Sequence, residues 1–409
     1  MRILIATTHR SIQGGIEKYV QTLIPALLDQ NQQVALLYEH GACDGAETVD
    51  PSGAGLSVWC AKDLLAEPSR WEELARWKPD VVYSQGLEST EAEAALLERF
   101  PTVMYAHVYW GTCINGGKCH SFPRREPCHR RFGPACLGLY YPRRCGGLNP
   151  LLAWDLYQTN RARNELLNRY RSMLVASTSM YREYEQHGVG AEKLQLVPLP
   201  VADFEAGRQP DLNHRLSGMI LFVGRLTELK GVDYLIRAIP RAALALGRAL
   251  TLTIVGDGPM RSELEDLARR LSVDVQFTGW LEGERKQRLL CEADLLAVPS
   301  LWPEPFGLVG VEAGRTGLPA VGFASGGIPD WLIPGQSGEI APAEPPTVEG
   351  LAEAIVRALE NPERYSRLRR GAFEVSRRFT LKEHLARLLP VLSAAYRSLP
   401  QPAMAGSTT

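Results

Sequence analysis

Two carboxylates stand eight positions apart in the carboxyl-terminal third of the chain, on either side of a predicted helix start. Pro305 and Gly307 mark a turn, and the apolar run after them predicts a buried helix. Glu304 is then expected in the loop and Glu312 two turns into the helix. Carboxylates accept hydrogen bonds from hydroxyls, and the free N–H groups of a helix start bind anions, so the arrangement suits a sugar nucleotide. Taken alone, acids at a helix start also occur without any ligand.

Two cations follow the predicted strand Ile220–Val223. Arg225 and Lys230 stand five positions apart in a glycine-containing turn, so both can converge on one anion. Arginine offers a planar fork to phosphate oxygens and lysine a flexible point charge, a combination that suits a diphosphate leaving group. Two solvated loop cations are the alternative, because charged loop residues are usually exposed.

Glycine turns follow two further predicted strands. Gly14 and Gly15 precede the first predicted helix and leave bare N–H groups at its start, a pattern that favours neither a ligand nor a plain helix start. Gly256 and Gly258 resemble the beginning of a dinucleotide fingerprint, but Arg261 occupies the position of its third glycine. We therefore interpret this second turn as structural, with its backbone facing a cleft.

Short apolar runs alternate with longer helical patterns along the chain, which is typical of parallel sheets covered by helices. The strand candidates are Arg2–Ala6, Val34–Tyr38, Val81–Ser84, Val103–His107, Met173–Ser177, Ile220–Val223, Leu250–Val255, Val273–Phe277, Leu295–Val298 and Ala320–Phe323. The helix candidates include Ile16–Asp29, Trp71–Trp77, Val348–Leu359 and Leu381–Ser398. Ligands bind at the carboxyl ends of such strands, so two α/β units that face each other create a cleft. His107 ends one strand and is expected to point into this cleft, although a single histidine is often a packing residue.

The length of 409 residues predicts two domains, and the net charge of -1 gives no overall field that would attract nucleic acid. We expect an amino-terminal domain over 1–200, a hinge near 198–216, a carboxyl-terminal domain over 216–380, a helix over 381–398 and a disordered tail over 399–409. The apolar run that starts the chain is too short for a signal peptide. No stretch of about 18 apolar residues predicts a membrane span.

In the order and spacing of its motifs the chain resembles the retaining glycosyltransferases of family 4, which have the GT-B fold. The resemblance rests on Gly14-Gly15, Gly224-Arg225, Lys230-Gly231, Val255-Gly256-Asp257-Gly258, the Glu304 and Glu312 pair around Pro305-Phe306-Gly307, and Gly326-Gly327-Ile328-Pro329-Asp330. It implies two Rossmann-like domains that face each other across a cleft, with the carboxyl-terminal helix crossing back. It also implies transfer of a sugar from a nucleotide diphosphate to a hydroxyl, with retained anomeric configuration and no catalytic metal.

The resemblance implies a role for each matching residue. Arg225 and Lys230 would stabilise the diphosphate as it leaves, Glu312 would bind the ribose hydroxyls, and Gly15 would approach the phosphate. The donor sugar would be held by Glu304 and the backbone of Phe306, Gly307 and Leu308, with Gly224 and Gly256 lining the donor site and His107 facing the sugar or the acceptor. The leaving phosphate is the usual base in this family, so no residue is assigned as nucleophile.

The substrates follow only as classes. The donor is expected to be a UDP- or GDP-sugar, and the acceptor a glycan, a lipid-linked or a small-molecule hydroxyl, in the cytoplasm or at the inner face of the membrane. Two alternatives stay open. A sugar-nucleotide 2-epimerase of the same architecture would convert the donor without an acceptor, and a scaffold would bind it without turnover.

The segment 113–145 departs from the family pattern and carries five of the eight cysteines. These are Cys113, Cys119, Cys128, Cys136 and Cys145, with His120 and His129 among them. A structural zinc site, disulfides and free thiols all remain open, because the spacing matches no standard zinc finger. The segment also contains Arg124, Arg125, Arg130, Arg131, Arg143 and Arg144. Such a cluster fits acidic lipid headgroups or a phosphorylated acceptor, and the alternative, slightly favoured by the sequence alone, is a solvated basic loop balanced by acids elsewhere.

Overall fold

Two parallel β-sheets, one in each half of the chain, form the framework of the fold. It is seen in a computed structural model that describes residues 1–42, 45–50, 55–201, 211 and 214–397. The first sheet has the order β3-β2-β1-β4-β5-β8-β9 and the second the order β12-β11-β10-β13-β14-β15. The strands of the first sheet are β1 Arg2–His9, β2 Gln33–His40, β3 Ser57–Cys60, β4 Val81–Ser84, β5 Thr102–Ala106, β8 Ser172–Val175 and β9 Leu194–Leu196. Between β5 and β8, β6 Cys119–His120 and β7 Glu126–Pro127 form a small antiparallel ribbon. The strands of the second sheet are β10 Met219–Val223, β11 Thr251–Val255, β12 Val275–Gly279, β13 Leu295–Val298, β14 Ala320–Phe323 and β15 Gly338–Ala341.

Helices cover both sheets, as the alternation of apolar runs predicts. Those of the first half are α1 Gly15–Asp29, α2 Ala61–Ala66, α3 Ser69–Trp77, α4 Thr90–Arg99, α5 Ala135–Tyr140, α6 Pro150–Leu166 and α7 Thr178–Gln186. Those of the second half are α8 Val232–Leu246, α9 Arg261–Arg270, α10 Gly283–Glu292, α11 Leu308–Gly314, α12 Val348–Leu359, α13 Pro362–Ser376 and α14 Leu381–Arg397. In the described part of the chain, none of the helices is both long and apolar enough to cross a bilayer.

All ten predicted strands form, with ends shifted by up to three residues. Five strands were missed: the two-residue strands β6 and β7 of the ribbon, and three strands of the parallel sheets. β3, β9 and β15 have at most four residues each and lie at sheet edges, where a short strand shows little apolar alternation. The helix α13 was also missed, because charged residues occupy most of its exposed face. The predicted hinge near 198–216 lies mostly outside the described residues, and the predicted tail over 399–409 lies entirely outside them.

The last helix, α14, returns from the second half and packs against β4 and β5 of the first sheet. His384 on this helix is 3% exposed and hydrogen-bonds on both sides of its ring. Its Nε2 lies 2.7 Å from the hydroxyl of Tyr19 and its Nδ1 lies 2.8 Å from the carbonyl oxygen of Pro198. One side chain thus joins the crossing helix, the first helix and the connection between the two halves.

Candidate functional site

The loop that follows β10 is held by backbone contacts with the turn after β11. The N–H of Gly224 donates to Val255 O at 3.0 Å, and the N–H of Leu226 donates to Asp257 O at 2.9 Å. A Cβ at Gly256, whose φ is +134°, would lie 1.9 Å from Gly224 O, so only glycine fits there. This close approach gives Gly256 a structural function in shaping the loop that carries Arg225, and donor contact stays a prediction for Gly224 and Gly256.

Arg225 and Lys230 lie on this same loop but in different environments. The side chain of Arg225 is exposed, and its guanidinium forms no ion pair with any described residue. Lys230 instead lies 2.5 Å from Glu304 through its Nζ and the carboxylate Oε1. The next residue, Gly231, has a φ of +65° and approaches so closely that a Cβ would lie 2.0 Å from Pro299 O. Lys230 is therefore fixed against the end of β13, whereas Arg225 is available to an anion from solution.

Glu304 is a buried carboxylate, 5% exposed, in the loop between β13 and α11. Burial alone would raise the pKa of Glu304. The charge and hydrogen bond of Lys230, together with the Ser300 hydroxyl that donates at 2.6 Å, lower the pKa by more than burial raises it. The pKa of Glu304 therefore lies below its ordinary value. The carboxylate is ionised and its charge is balanced by Lys230. The Gly327 N–H donates to Glu304 O at 2.7 Å and holds the loop in place.

Glu312 lies apart from this pair. Because α11 begins at Leu308, Glu312 is just over one turn into the helix, and the prediction of two turns is wrong. Its carboxylate is 3.1 Å from Nζ of Lys286 on α10, and both side chains are about one-third exposed. Different lysines therefore hold the two carboxylates. Carboxylates held separately in this way can contact different parts of one extended ligand.

Trp331 holds the backbone from Phe306 to Leu308 in position. The side chain of Phe306 is buried against Phe379, so only its backbone could meet a ligand. The indole Nε1 of Trp331 donates to Phe306 O at 2.6 Å, and its ring packs on Gly310 of α11. Gly307 has a φ of +81°, a conformation that glycine adopts without strain.

On the opposite side, Gly15 and His107 lie at the carboxyl ends of β1 and β5. Around Gly15 a Cβ would meet nothing within 4 Å, so this helix start is open. His107 Nε2 lies 2.9 Å from Oε1 of Gln85, whose Nε2 donates to Tyr83 O at 3.4 Å. The amide orientation makes Gln85 the acceptor, so the His107 proton is on Nε2 and Nδ1 can accept from a hydroxyl. Burial, with a smaller effect of His384, lowers the pKa of His107 to about 3 and keeps the ring neutral.

Replacement of Gln85 should change the reaction through His107. We expect Gln85→Leu to reduce the turnover number about tenfold, equivalent to one hydrogen bond of ~1.4 kcal/mol. In Gln85→Glu, the new carboxylate should raise the pKa of His107, so activity should become pH-dependent in a range where we expect no titration of His107 in the unmodified protein. Turnover measured from pH 5 to pH 8 tests this. A Gln85→Glu profile parallel to that of the unmodified protein would contradict the pairing.

The buried His384 predicts a pH dependence of stability. Burial lowers the pKa of His384 to about 4, whereas the unfolded chain takes up the proton near its ordinary value of 6.5. The unfolded state therefore binds more protons below that value, so stability is fully present above pH 6.5 and is lost as the pH falls toward 4. We expect the free energy of unfolding of His384→Gln to fall less steeply in this window, by about 1.4 kcal/mol per pH unit. Denaturant titrations at pH 8 and at pH 5 measure the difference, and equal slopes for both proteins would contradict it.

A cavity of about 460 Å³ lies beside Glu304, between the two halves of the chain. The first half contributes α7 through Thr178 and Arg182, and the second half contributes Gly326 and Asp330. The N–H of Thr178 donates to the Asp330 carboxylate at 2.7 Å, so this hydrogen bond joins the two halves at the cavity wall. The cavity can hold a second, partly polar molecule between the two halves, and Pro303, the residue before Glu304, is part of its lining.

Comparison with known sequences agrees with this geometry. Residues 13–203 match the family described as Glycosyltransferase Family 4, and residues 208–375 match the family described as Glycosyl transferases group 1. The chain belongs to glycosyltransferase family 4. Both halves with their sheets and connecting loops therefore have counterparts in known glycosyltransferases.

Curated relatives match this family 4 glycosyltransferase over part of their length. An uncharacterized glycosyltransferase of Methanocaldococcus jannaschii is 45% identical over 112 residues, which are 27% of this chain and 28% of that protein. A glycogen synthase of Mycobacterium tuberculosis is 34% identical over 221 residues, 53% of this chain and 52% of that protein. The chain thus spans about half the length, or less, of these curated relatives.

Solved structures establish the fold as GT-B. Among them, the Anabaena protein HepE in complex with UDP superposes with a TM-score of 0.68 at 20% identity. The superposition covers 96% of this chain and 100% of the HepE chain. The predicted architecture is therefore confirmed.

The five cysteines of the segment 113–145, all of them described, do not form a recognisable metal centre. All five in the segment 113–145 are free thiols. Over the described residues, no group of three or more His, Cys, Asp or Glu side chains is arranged to hold a metal ion, so the geometry gives the zinc interpretation no support. Cys145 Sγ lies 3.8 Å from His120 Nδ1, and burial raises the pKa of Cys119 and of Cys145 to about 12.

The same segment instead connects the two halves of the enzyme. Arg125 lies 3.1 Å from Glu228 and 3.4 Å from Asp233, on either side of Lys230. Within the first half, Lys118 forms a buried ion pair of 2.6 Å with Glu183 of α7. The segment is therefore anchored on α7 and reaches the loop that carries the two cations.

Sequence reasoning missed several of these residues. Gln85 directly follows β4, so the rule that ligands meet strand ends would have identified it. No sequence pattern identified Lys286 or Trp331. Each lies in a different segment from its partner, which is Glu312 for Lys286 and Gly310 for Trp331. Their roles became visible only when the chain was folded.

Proposed function

We propose that the protein transfers a hexose from a nucleotide-diphosphate sugar to a hydroxyl acceptor with retained configuration. The carboxyl-terminal half binds the donor and the amino-terminal half binds the acceptor. The observation that carries the proposal is the exposed cation Arg225 on the same loop as Lys230, which a buried, ionised Glu304 holds in the loop after β13. A diphosphate needs cations, and a sugar needs carboxylate and backbone acceptors; both are present at one edge of the sheet.

During the reaction the bond between the anomeric carbon and the leaving phosphate oxygen breaks. Negative charge then grows on the diphosphate, where Arg225 and Lys230 stabilise it. Glu304 holds sugar hydroxyls and keeps Lys230 in position, while Glu312 accepts hydrogen bonds from the ribose. The neutral His107 accepts a hydrogen bond from a hydroxyl through Nδ1.

The acceptor oxygen forms its bond to the same face of the anomeric carbon that the diphosphate leaves. Its proton passes to the departing phosphate oxygen, so charges and atoms balance without a protein nucleophile. Supporting this assignment, burial lowers the pKa of His107 to about 3, so the neutral ring is too weak a base to take the acceptor proton in place of the phosphate.

The cavity of about 460 Å³ supports a transferase over an epimerase, since an epimerase needs no room for a second molecule. The UDP bound in the HepE structure supports a UDP-sugar as the first donor to test, with GDP-sugars next.

The melting temperature against a panel of UDP-, GDP-, ADP- and TDP-sugars tests donor binding, because a ligand of the folded state raises it. NMR of the product made from an α-linked donor then tests retention. An α-linked product is expected, and a β-linked product would overturn the retaining mechanism. A changed sugar formed without acceptor would identify an epimerase instead.

A further inference from the structure

Large apolar side chains are exposed in the segment 113–145 and around the start of α6. Leu148 is 85% exposed, Leu151 78% and Trp154 53%, which are high values for such residues. We call this the apolar face: Phe122, Tyr141, Leu148, Leu151, Leu152 and Trp154. Side chains of this size, clustered within one short stretch, indicate a surface that is covered when the protein acts.

A small buried cluster supports the apolar face. Ile114, Tyr140, Ala153 and Tyr157 pack together as a small buried cluster beneath it. The carboxamide of Asn149 accepts from the N–H of Leu151 at 3.0 Å and caps α6. The outward side chains therefore belong to a folded unit, and their exposure is a property of that unit.

Positive charge predominates in the segment that carries Phe122 and Tyr141. The segment 113–145 holds seven cations and one carboxylate, although the whole chain has a net charge of -1. The cations are Lys118, Arg124, Arg125, Arg130, Arg131, Arg143 and Arg144, and the carboxylate is Glu126. The guanidinium of Arg144 lies 5.0 Å from the centre of the Phe122 ring, so charge and apolar surface are in contact.

We propose that the apolar face docks the enzyme on the surface of an anionic lipid bilayer. Leucine and tryptophan side chains insert at the level of the headgroups, where tryptophan is favoured, and the arginines bind lipid phosphates. A second copy fits less well, because a two-fold contact through this face would bring two clusters of like charge together.

Docking would also orient the cleft. Lys118, Cys128 and His129 of the same segment line the cavity between the two halves, and His129 lies 3.0 Å from Glu344 across it. An enzyme bound through the apolar face would therefore present this cavity near the bilayer, within reach of a lipid-linked acceptor. That consequence rests on the proposed function, whereas the docking itself does not.

Vesicle co-sedimentation of the full chain tests the proposal without any catalytic step. Vesicles of phosphatidylcholine alone are compared with vesicles in which about one-third is phosphatidylglycerol. The variant L148S/L151S/W154S removes apolar contact, and R143Q/R144Q removes two charges. The matched controls are L244S/W280S, which changes a leucine 85% exposed and a tryptophan 60% exposed in the second half, and R367Q/R370Q, which changes two exposed arginines of α13.

We expect binding to the anionic vesicles at least tenfold tighter than to neutral ones. Loss of the two arginines should weaken it by up to about 30-fold, since each basic residue near the surface contributes ~1 kcal/mol. The apolar variant should weaken binding to a similar degree, with both controls unchanged and all variants melting at the same temperature. Equal binding to both vesicles, equal losses in the controls, or loss of a dimer instead of vesicle binding would overturn the proposal. The rise in melting temperature caused by donor sugars is measured in parallel. Loss of vesicle binding with normal donor stabilisation would overturn the docking proposal alone, whereas absence of donor stabilisation would count against the proposed function.

Discussion

Lys230→Ala should reduce the turnover number by roughly 10² to 10³ while donor affinity changes by less than about tenfold. The reason is the position of Lys230, which is held beside Glu304 of the loop after β13, where charge develops on the leaving diphosphate. A cation that acts mainly on the departing group contributes more to the transition state than to the bound donor. Turnover under donor saturation and a dissociation constant from calorimetry give the two quantities, and equal losses in both would contradict a transition-state role.

The same substitution should also destabilise the protein. Glu304 is 5% exposed, so removal of its partner leaves a buried carboxylate unpaired, at a cost of about 3 kcal/mol. The double variant Lys230→Ala/Glu304→Gln removes that charge and should recover most of the stability but none of the turnover. Lys286→Ala is the matched control, because its pair with Glu312 is about one-third exposed and should contribute less than about 1 kcal/mol.

Arg225→Ala should separate catalysis from folding more cleanly. The Arg225 guanidinium is exposed and has no ion pair among the described residues, so the free energy of unfolding should change by less than about 0.5 kcal/mol. Turnover should nevertheless fall roughly 10²-fold, since the leaving phosphate loses one of its two cations. Measurements of melting temperature and turnover on one preparation provide the check. A stability loss as large as that of Lys230→Ala would show that Arg225 has a structural partner.

Strand ends were the most predictable part of this molecule. Arg225, His107 and Glu304 each follow a strand with an apolar run that the sequence displays directly, so the parallel-sheet rule places each at the carboxyl edge of its own sheet. Pairing was not predictable in the same way. Lys230 contacts Glu304 and Lys286 contacts Glu312, over separations of 74 and 26 residues, and the positions of both lysines depend on how helices and loops pack.

The segment 113–145 shows the limit of composition as a guide. Its cysteines suggested zinc, yet their thiols do not gather as a metal site in the described chain. The spacing of cysteines constrains ligand geometry only when a tight turn sets it, and the gaps of six to nine positions here do not. The arginines were informative as a charge cluster, but only the fold shows that Arg125 reaches across to Glu228.

Gly310→Ala should destabilise the protein by about 3 kcal/mol and abolish most of its activity, although alanine normally stabilises a helix relative to glycine. A Cβ at Gly310 would lie 2.0 Å from the ring of Trp331, which is 3% exposed and is held by its hydrogen bond to Phe306 O. The ring cannot move without releasing that carbonyl, so α11 must shift and take Glu312 with it. Denaturant unfolding and turnover measure the two effects.

Gly138→Ala is the matched control for this substitution. Gly138 is also a helical glycine, in α5, but a Cβ there would meet nothing within 4 Å, so the change should be neutral or slightly stabilising. The variant Gly310→Ala/Trp331→Phe tests the cause, because a smaller ring relieves the contact. We expect the double variant to be less destabilised than the sum of the two single variants by at least about 1 kcal/mol. Strict additivity would show that the lost stability comes from the helix itself and that the indole does not set the position of Glu312.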